Sequence, residues 1–416
     1  MLDQPMTDHD DAPTDSRPGL ADLRAVPGFT AALAIGVVVG LGFGLVIPII
    51  PAFARSFGVG VFAATAIVSV FAGVRLVSNL AVGPLIDTIG MRRAVGWGAL
   101  IVGASSLASA AAPTYWWFLF ARGIGGFGSA LFLGALVTLT LVTAPASLRG
   151  RAVGTIQSSF LIGSSFGPTV GGALAEPLGL RWPFVVYAAA CGIAGLVAFS
   201  RLPGPEAPTD DGVLPDRSRN PFAGFGQLLR TRELIAALVM MAAVRWTLSG
   251  LRFSVVPLFA EDVLSLGPAL LGIGLTVASV GQLLLVVPAG RLIDIRGRRP
   301  VGIIGFTTFA VVALGFVVLD GTWPFLVAMG AFGLVTGATN PLPAAIVGDV
   351  VSKDRAGRAV GVLNTAGDLG SVGGPLVLGA LVEGFGFTSA FLTTAALLLA
   401  AAGLAIRMRE TMPATA

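Results

Sequence analysis

Histidine and cysteine are almost missing from this chain of 416 residues, which holds one of each, His9 and Cys191. A single cysteine inside an apolar run excludes a disulfide framework and a thiolate metal cluster. A lone histidine in the N-terminal segment leaves no Ser/His/Asp set and no metal-ligand spacing. There is also no Walker-type glycine loop to cradle a nucleotide, so ATP cannot be the energy source within this chain. Charge is scarce as well: 12% of residues are charged, against about a quarter in soluble domains. These absences argue against an enzyme, and neither a metal nor a cofactor is expected.

What is present is apolar length. Hydrophobic residues make up 55% of the chain, with 57 glycines and a mean hydropathy of +0.88, a profile of a polytopic helical membrane protein. The apolar runs are continuous rather than alternating at period two, which excludes a β-barrel reading. A pI near 10.1 invites a nucleic-acid partner. The basic residues, however, are spread over short gaps between apolar runs, a pattern of membrane topology.

Residues 1–27, rich in Asp, Pro and Thr, are expected to be a disordered cytoplasmic tail; they lack the basic start and apolar middle of a signal peptide. Membrane spans are expected at 29–53, 61–82, 94–112, 115–142, 152–176 and 183–200, forming one bundle over 28–201. A second set at 233–258, 267–288, 300–319, 324–348, 359–382 and 388–406 forms another over 233–406. Each run is long enough to cross ~30 Å of hydrocarbon at about 1.5 Å per residue. Between the bundles, 202–232 reads as a cytoplasmic linker ending in a short interfacial helix over 222–229, and 407–416 as a cytoplasmic tail. With the N-terminus inside, the inward gaps gather Arg92, Arg93, Arg149, Arg151 and Arg296 to Arg299, while the outward gaps hold only Arg55 and Arg181. That bias places both termini in the cytoplasm.

One polar stretch is written twice. Gly83-Pro-Leu-Ile-Asp87-Thr-Ile-Gly90-Met-Arg92-Arg93 recurs as Gly290-Arg-Leu-Ile-Asp294-Ile-Arg-Gly297-Arg298-Arg299, at a constant offset of 207 residues. The same offset relates Arg151-Ala-Val-Gly154 to Arg358-Ala-Val-Gly361, Gly172 to Gly379, Glu176 to Glu383 and Trp116 to Trp323. Gly163, Gly167, Pro168, Gly171 and Gly172 in span 5 are answered by Gly370, Gly374 and Pro375 in span 11. Glycines at four-residue spacing give a smooth helix face for close packing in lipid, and the prolines permit a bend. Two parallel six-span halves are one known transporter construction, with the substrate site where the halves meet.

These motifs resemble those of the major facilitator superfamily over residues 28–406. Gly83–Arg93 and Gly290–Arg299 match the signatures between spans 2 and 3 and between spans 8 and 9. Arg122 followed by Gly123, Gly125, Gly126 and Gly128 resembles the fourth-span motif. Gly163–Gly172 resembles the fifth-span motif of the 12-span drug:proton antiporter branch. The resemblance implies an all-α fold of twelve transmembrane helices in the plasma membrane. It further implies alternating access, a cytoplasmic latch at Asp87, Arg92 and Arg93, a span-5 bend that blocks proton leak, and a part for Arg122 in proton movement. Proteins of this kind usually act as monomers on a small-molecule substrate in the lipid bilayer.

Charged residues inside spans are costly and mark function. Arg75, Arg122, Arg245 and Asp368 each occur in one copy of the repeat only, where structural residues recur in both. Asp368 is the carboxylate placed deep in a span, with Asn364, Thr365 and Ser371 on its face. A carboxylate in a low-dielectric cavity takes up a proton more readily than one in water. Asp368 therefore reads as a proton-coupling residue, as a structural partner of Arg75 or Arg245, or as a substrate contact. Arg75, Asn79, Arg245, Ser249, Gln282, Asn340 and Asn364 are the expected substrate-cavity residues. Ser249 and Arg252 are expected on the face of Arg245, with Arg252 reaching the outer interface. Span 1 lacks the acid that many drug antiporters use for cations. The excess of buried arginine suggests a neutral or anionic substrate. The expected function is proton-coupled efflux of a small organic solute. The alternatives are proton-coupled import of a small anionic or neutral metabolite, and a non-transporting receptor of the same fold.

Overall fold

The computed structural model describes residue 23 and residues 26–204, 231–351 and 356–411, apart from the side chains of 146 and 356–358. Most of the expected disordered tail, the expected interfacial helix over 222–229 and Arg217, Arg219, Arg230, Lys353 and Arg355 lie outside the described residues; the tail's described Leu23 and Val26 are packed into the core rather than free.

Apolar runs in lipid must satisfy every backbone group internally, so they become helices. The described residues form twelve long ones. They are α1 (Phe29–Arg55), α2 (Val61–Ile89), α3 (Met91–Ala110), α4 (Tyr115–Thr143), α5 (Arg149–Leu178) and α6 (Trp182–Arg201), then α7 (Arg232–Asp262), α8 (Pro268–Arg296), α9 (Arg298–Val318), α10 (Thr322–Val350), α11 (Ala356–Phe385) and α12 (Phe387–Arg407). Ten of these are apolar enough by themselves to cross a membrane. The other two, α3 and α5, are diluted by glycine, serine and terminal arginines.

Packing follows the repeat. In the first half α1 lies on α5, α2 on α4 and α3 on α6; in the second, α7 lies on α11, α8 on α10 and α9 on α12. The halves meet along two related crossings, α2 with α11 and α5 with α8. Small residues make these approaches possible. A Cβ at Gly167 would lie 2.5 Å from the carbonyl oxygen of Leu41 on α1, and one at Gly374 would lie 2.9 Å from that of Trp246 on α7. Gly163 and Gly171 press on α1, Gly370 on α7, and Gly172 crosses the half boundary onto Pro268 of α8.

The structure corrects the expected boundaries at the duplicated motif. Spans 2 and 8 do not stop at 82 and 288; α2 and α8 continue through Pro84 and Pro288 to Ile89 and Arg296. Asp87 and Asp294 therefore sit in the last turns of helices rather than in loops. A single residue separates each helix pair: Gly90 at φ 84° and Gly297 at φ 91°, a region that disfavours side chains. Helices α5 and α11 likewise run unbroken through Pro168 and Pro375. Helix α10, expected to be continuous, is divided at Asn340 and Pro341.

Helix α7 carries the other departure. Residues Thr247–Val255 are π-helical, so the register slips and positions at i+4 and i+7 no longer share a face. Arg245 is exposed while Arg252 is buried. Arg252 donates to Leu275 O (2.9 Å), Ser279 Oγ (2.6 Å) and Gln282 Oε1 (3.2 Å) on α8. It does not reach the outer interface, because α8 offers three acceptors within the core.

Candidate functional site

Two adjoining cavities lie where the halves meet. One, of about 300 Å³, is lined by Arg75, Asn79, Ser129, Gln157, Met241, Arg245, Asn364 and Asp368 among others. The second, of about 210 Å³, is lined by Phe43, Phe71, Phe160, Phe253, Leu248, Arg122, Ser249 and Ser371 among others, with Arg75, Ser129, Leu133 and Arg245 shared. The first is polar and the second is a box of phenyl rings with cations at its wall.

Helices from both halves supply the charges. Arg75 on α2 donates to Asp368 on α11 through Nη2 to Oδ1 at 3.0 Å. This one ion pair bridges the two halves at the level of the cavity, and both side chains are only partly exposed. Arg245 on α7 lies within electrostatic reach of both. Arg122 on α4 is 2% exposed, its guanidinium carbon is 4.8 Å from the centroid of Phe71, and its Nε has no acceptor. Ser249 donates to the carbonyl of Ser371 at 2.9 Å, tying α7 to α11 beside the cavity.

Of the seven expected cavity residues, Arg75, Asn79, Arg245, Ser249 and Asn364 line one or both cavities. Two do not. Gln282 is buried and accepts from Arg252, and Asn340 sits at the break in α10. Sequence reasoning missed the phenyl rings, Ser129 and Gln157. They come from five helices, α1, α2, α4, α5 and α7, and no local pattern announces that they converge. Arg298 shows another partner that was missed. It is 7% exposed and pairs with Asp349 on α10 at 2.7 Å and with Asp294 at 3.3 Å. Its own backbone N–H, like that of Arg299, donates to Glu410. Asp87 and Arg93 are exposed, and Arg92 is half-buried with its Nε lacking an acceptor.

The two ends of the cavity differ. Toward the end carrying Gly90 and Gly297, Asn79, Gln157 and Asn364 are exposed polar wall residues, so the cavity opens there. Toward the other end the halves are joined. The N–H of Phe62, at the start of α2, donates to Glu383 at 2.7 Å, and that of Ala269, at the start of α8, donates to Glu176 at 3.0 Å. Both acids satisfy orphan donors at a helix N-terminus, where the dipole favours negative charge. Ser69 donates to Val372 O, and Thr169 and Thr276 share a hydroxyl bond of 2.8 Å, across the same crossings.

Comparison with known proteins agrees with this geometry. A multidrug resistance efflux pump, PmrA homolog, of Lactococcus lactis is 24% identical over 368 residues, covering 83% of this chain and 86% of its own. The multidrug resistance protein MdtG of Salmonella choleraesuis is 25% identical over 377 residues, covering 86% and 90%. Among solved structures, the nucleoside transporter NupG superposes with a TM-score of 0.74 at 16% identity, covering 91% of this chain and 98% of that one. A bacterial homolog of the human lysosomal transporter Spinster, in an inward-facing and occupied conformation, gives 0.72 at 15%, covering 95% and 100%. The family model described as Major Facilitator Superfamily matches residues 32–267 and 247–415. Twelve helices in two repeated halves around a shared cavity, with that match over nearly all of the chain, make this a membrane transporter of the major facilitator superfamily.

Proposed function

We propose that this transporter moves a small organic solute across the plasma membrane by alternating access, with the central cavity as its binding site, and exports it in exchange for protons. The observation that carries the reading is the Arg75–Asp368 pair, which joins the halves at the cavity wall. A carboxylate that must give up an arginine to accept a proton can tie protonation to the relative position of the halves. Export rests on the similarity to relatives named as efflux pumps and on the glycine-proline motif of α5. The arginine distribution supports cytoplasmic termini, so the open end of the cavity would face the cytoplasm. Asp87, Arg92 and Arg93, with Gly83, Gly90, Gly290, Asp294, Gly297, Arg298 and Arg299, would then govern closure of that end, and Arg122 would assist proton movement. The protein would work as a monomer.

A second reading, uptake of an anionic or neutral solute together with a proton, is favoured by one observation. Asp368 already occupies Arg75, so protonating it frees a cation, and an anion and a proton would load together. Proteoliposomes with an imposed pH gradient and a panel of solutes separate the two, since exchange and cotransport respond to the gradient with opposite sign. Asp368→Asn is expected to abolish pH-driven accumulation while sparing solute counterflow. If both survive unchanged, the proton assignment is wrong.

A further inference from the structure

This chain has a consistent way of treating a structural arginine in its interior. Arg252 is given three acceptors on α8. Arg298 is given two carboxylates and the carbonyl of Ile293. Arg75 is given Asp368. A buried guanidinium left without acceptors is expensive, which explains the pattern.

One buried arginine, Arg122, breaks it, and it lines the same cavity as Arg245, which is exposed and likewise unpaired among the described residues. Among the described residues no group accepts a hydrogen bond from Arg122 or forms an ion pair with it, although it is 2% exposed. The ring of Phe71 lies against it, and the uncharged side chains of Tyr187 and Cys191 are within electrostatic reach. Arg245 likewise has no ion-pair partner within the described residues, and it is exposed on the cavity wall. With the arginines Arg75, Arg122 and Arg245 set against the one lining carboxylate, Asp368, the described cavity wall keeps a net positive charge. The remaining wall there is dominated by Phe43, Phe71, Phe160 and Phe253.

We infer that the cargo is an amphipathic organic anion, its acidic head held between Arg245 and Arg122 and its apolar body among the four phenyl rings. The inference rests on the reading of this cavity as the transport site and names the substrate class for it. The head supplies the counter-charge that the protein omits. A planar guanidinium forks onto a carboxylate in a bidentate way that an amide cannot match. The phenyl box supplies apolar burial and prefers an aromatic body, through offset or edge contacts between rings. A cationic drug would meet two free arginines at close range, with the single carboxylate already engaged.

The test uses the full-length protein in lipid nanodiscs and three probes that share one body and differ in head charge: 4-phenylbutyrate, 4-phenylbutanamide and 4-phenylbutylamine. Titration calorimetry is expected to show the acid binding at least tenfold more tightly than the amide, and the amine more weakly still. Arg245→Gln should weaken binding of the acid tenfold or more and bring it level with the amide, and Arg245→Lys should restore part of the difference. Arg122→Gln is expected to act in the same direction, with a thermal melt as its folding control. Binding of the amine as tight as that of the acid, binding of none of the three, or retention of acid selectivity in Arg245→Gln overturns the inference. The underlying transport reading fails separately, when a probe that binds in the cavity is not moved across a proteoliposome membrane.

Discussion

The two ends of the molecule are built on different rules. At the end where the cavity is sealed, the contacts between halves obey the repeat: Glu176 and Glu383 are 207 residues apart, and so are their donors, Phe62 and Ala269. The glycines beside them obey it too, Gly172 lying against Pro268 and Ala269 and Gly379 against Phe62 and Thr65. At the other end one charged set of the second half has no counterpart at the repeat positions of the first. Arg298, itself buried, is held by the Asp349 carboxylate and donates its backbone N–H to Glu410 inside the second half, and the positions 207 residues earlier than these three are Met91, Val142 and Pro203. The sealed end therefore resembles a two-fold clasp whose elements share the load. At the open end the second half carries an arginine–carboxylate set whose positions hold no charge in the first half. A clasp made of equal parts can open as a unit, which suits an end that must release entirely in one step of alternating access.

The strongest way to break the clasp is steric. Gly172→Leu with Gly379→Leu forces side chains into backbone at both crossings. Overpacking of this kind costs about 1–3 kcal/mol per site, so the sealed end should be disfavoured by between roughly thirtyfold and twenty-thousandfold if the two sites add fully. Cysteine probes placed near Phe62 and Ala269 should become labelled by membrane-impermeant maleimide, and transport should cease. Unchanged labelling would mean that the crossings are not what seals this end.

Removing charge from the second half's arginine–carboxylate set should act on stability rather than on conformation. Arg298→Met leaves Asp349 largely buried and, among the described residues, facing the hydroxyl of Thr411, which donates to it at 3.1 Å. A buried pair broken from one side costs about 3–5 kcal/mol; with Asp294 exposed and Asp349 not fully enclosed, about 2–3 kcal/mol is expected. The melting temperature in detergent should fall by several degrees while labelling at the sealed end stays as in the native protein. A change in labelling without a change in melting would reverse the contrast between the ends.

Much of this was legible in the chain and some was not, for identifiable reasons. The spans are legible because lipid leaves the backbone no alternative to helix, and the halves because the 207-residue offset survives. The pairing of Arg75 with Asp368 was one of the readings open from depth alone, since both lie a few helical turns from a marked end. The ends of spans 2 and 8 read short because the apolar runs stop at 82 and 288, whereas the helices continue through the polar motif to Ile89 and Arg296. Gln282 and Arg252 were misplaced for a different reason. A π-helical stretch over Thr247–Val255 leaves no trace in hydrophobic period, yet it rotates every later residue of α7. The phenyl box and the Asp349 partner depend on contacts between helices far apart in sequence. Glu176 and Glu383 were matched by the repeat, but a carboxylate at one helix end gives no sign of the N-terminus it will cap on another.

The smallest effects test whether the clasp is symmetrical in energy as well as in geometry. Each glutamate makes one charge-assisted bond at a partly solvated helix start, worth about 0.5–1.5 kcal/mol. Glu176→Gln and Glu383→Gln should therefore raise maleimide labelling at the sealed end by only a few fold each, and by similar amounts. The double substitution should multiply the two effects, because Phe62 and Ala269 belong to separate crossings and share no partner. Steady-state transport should change little, since the amide can still accept from the same N–H. An unequal pair, with one substitution opening the end and the other silent, would show that a single crossing carries the seal. The repeat would then persist there for packing by Gly172 and Gly379 rather than for the acids.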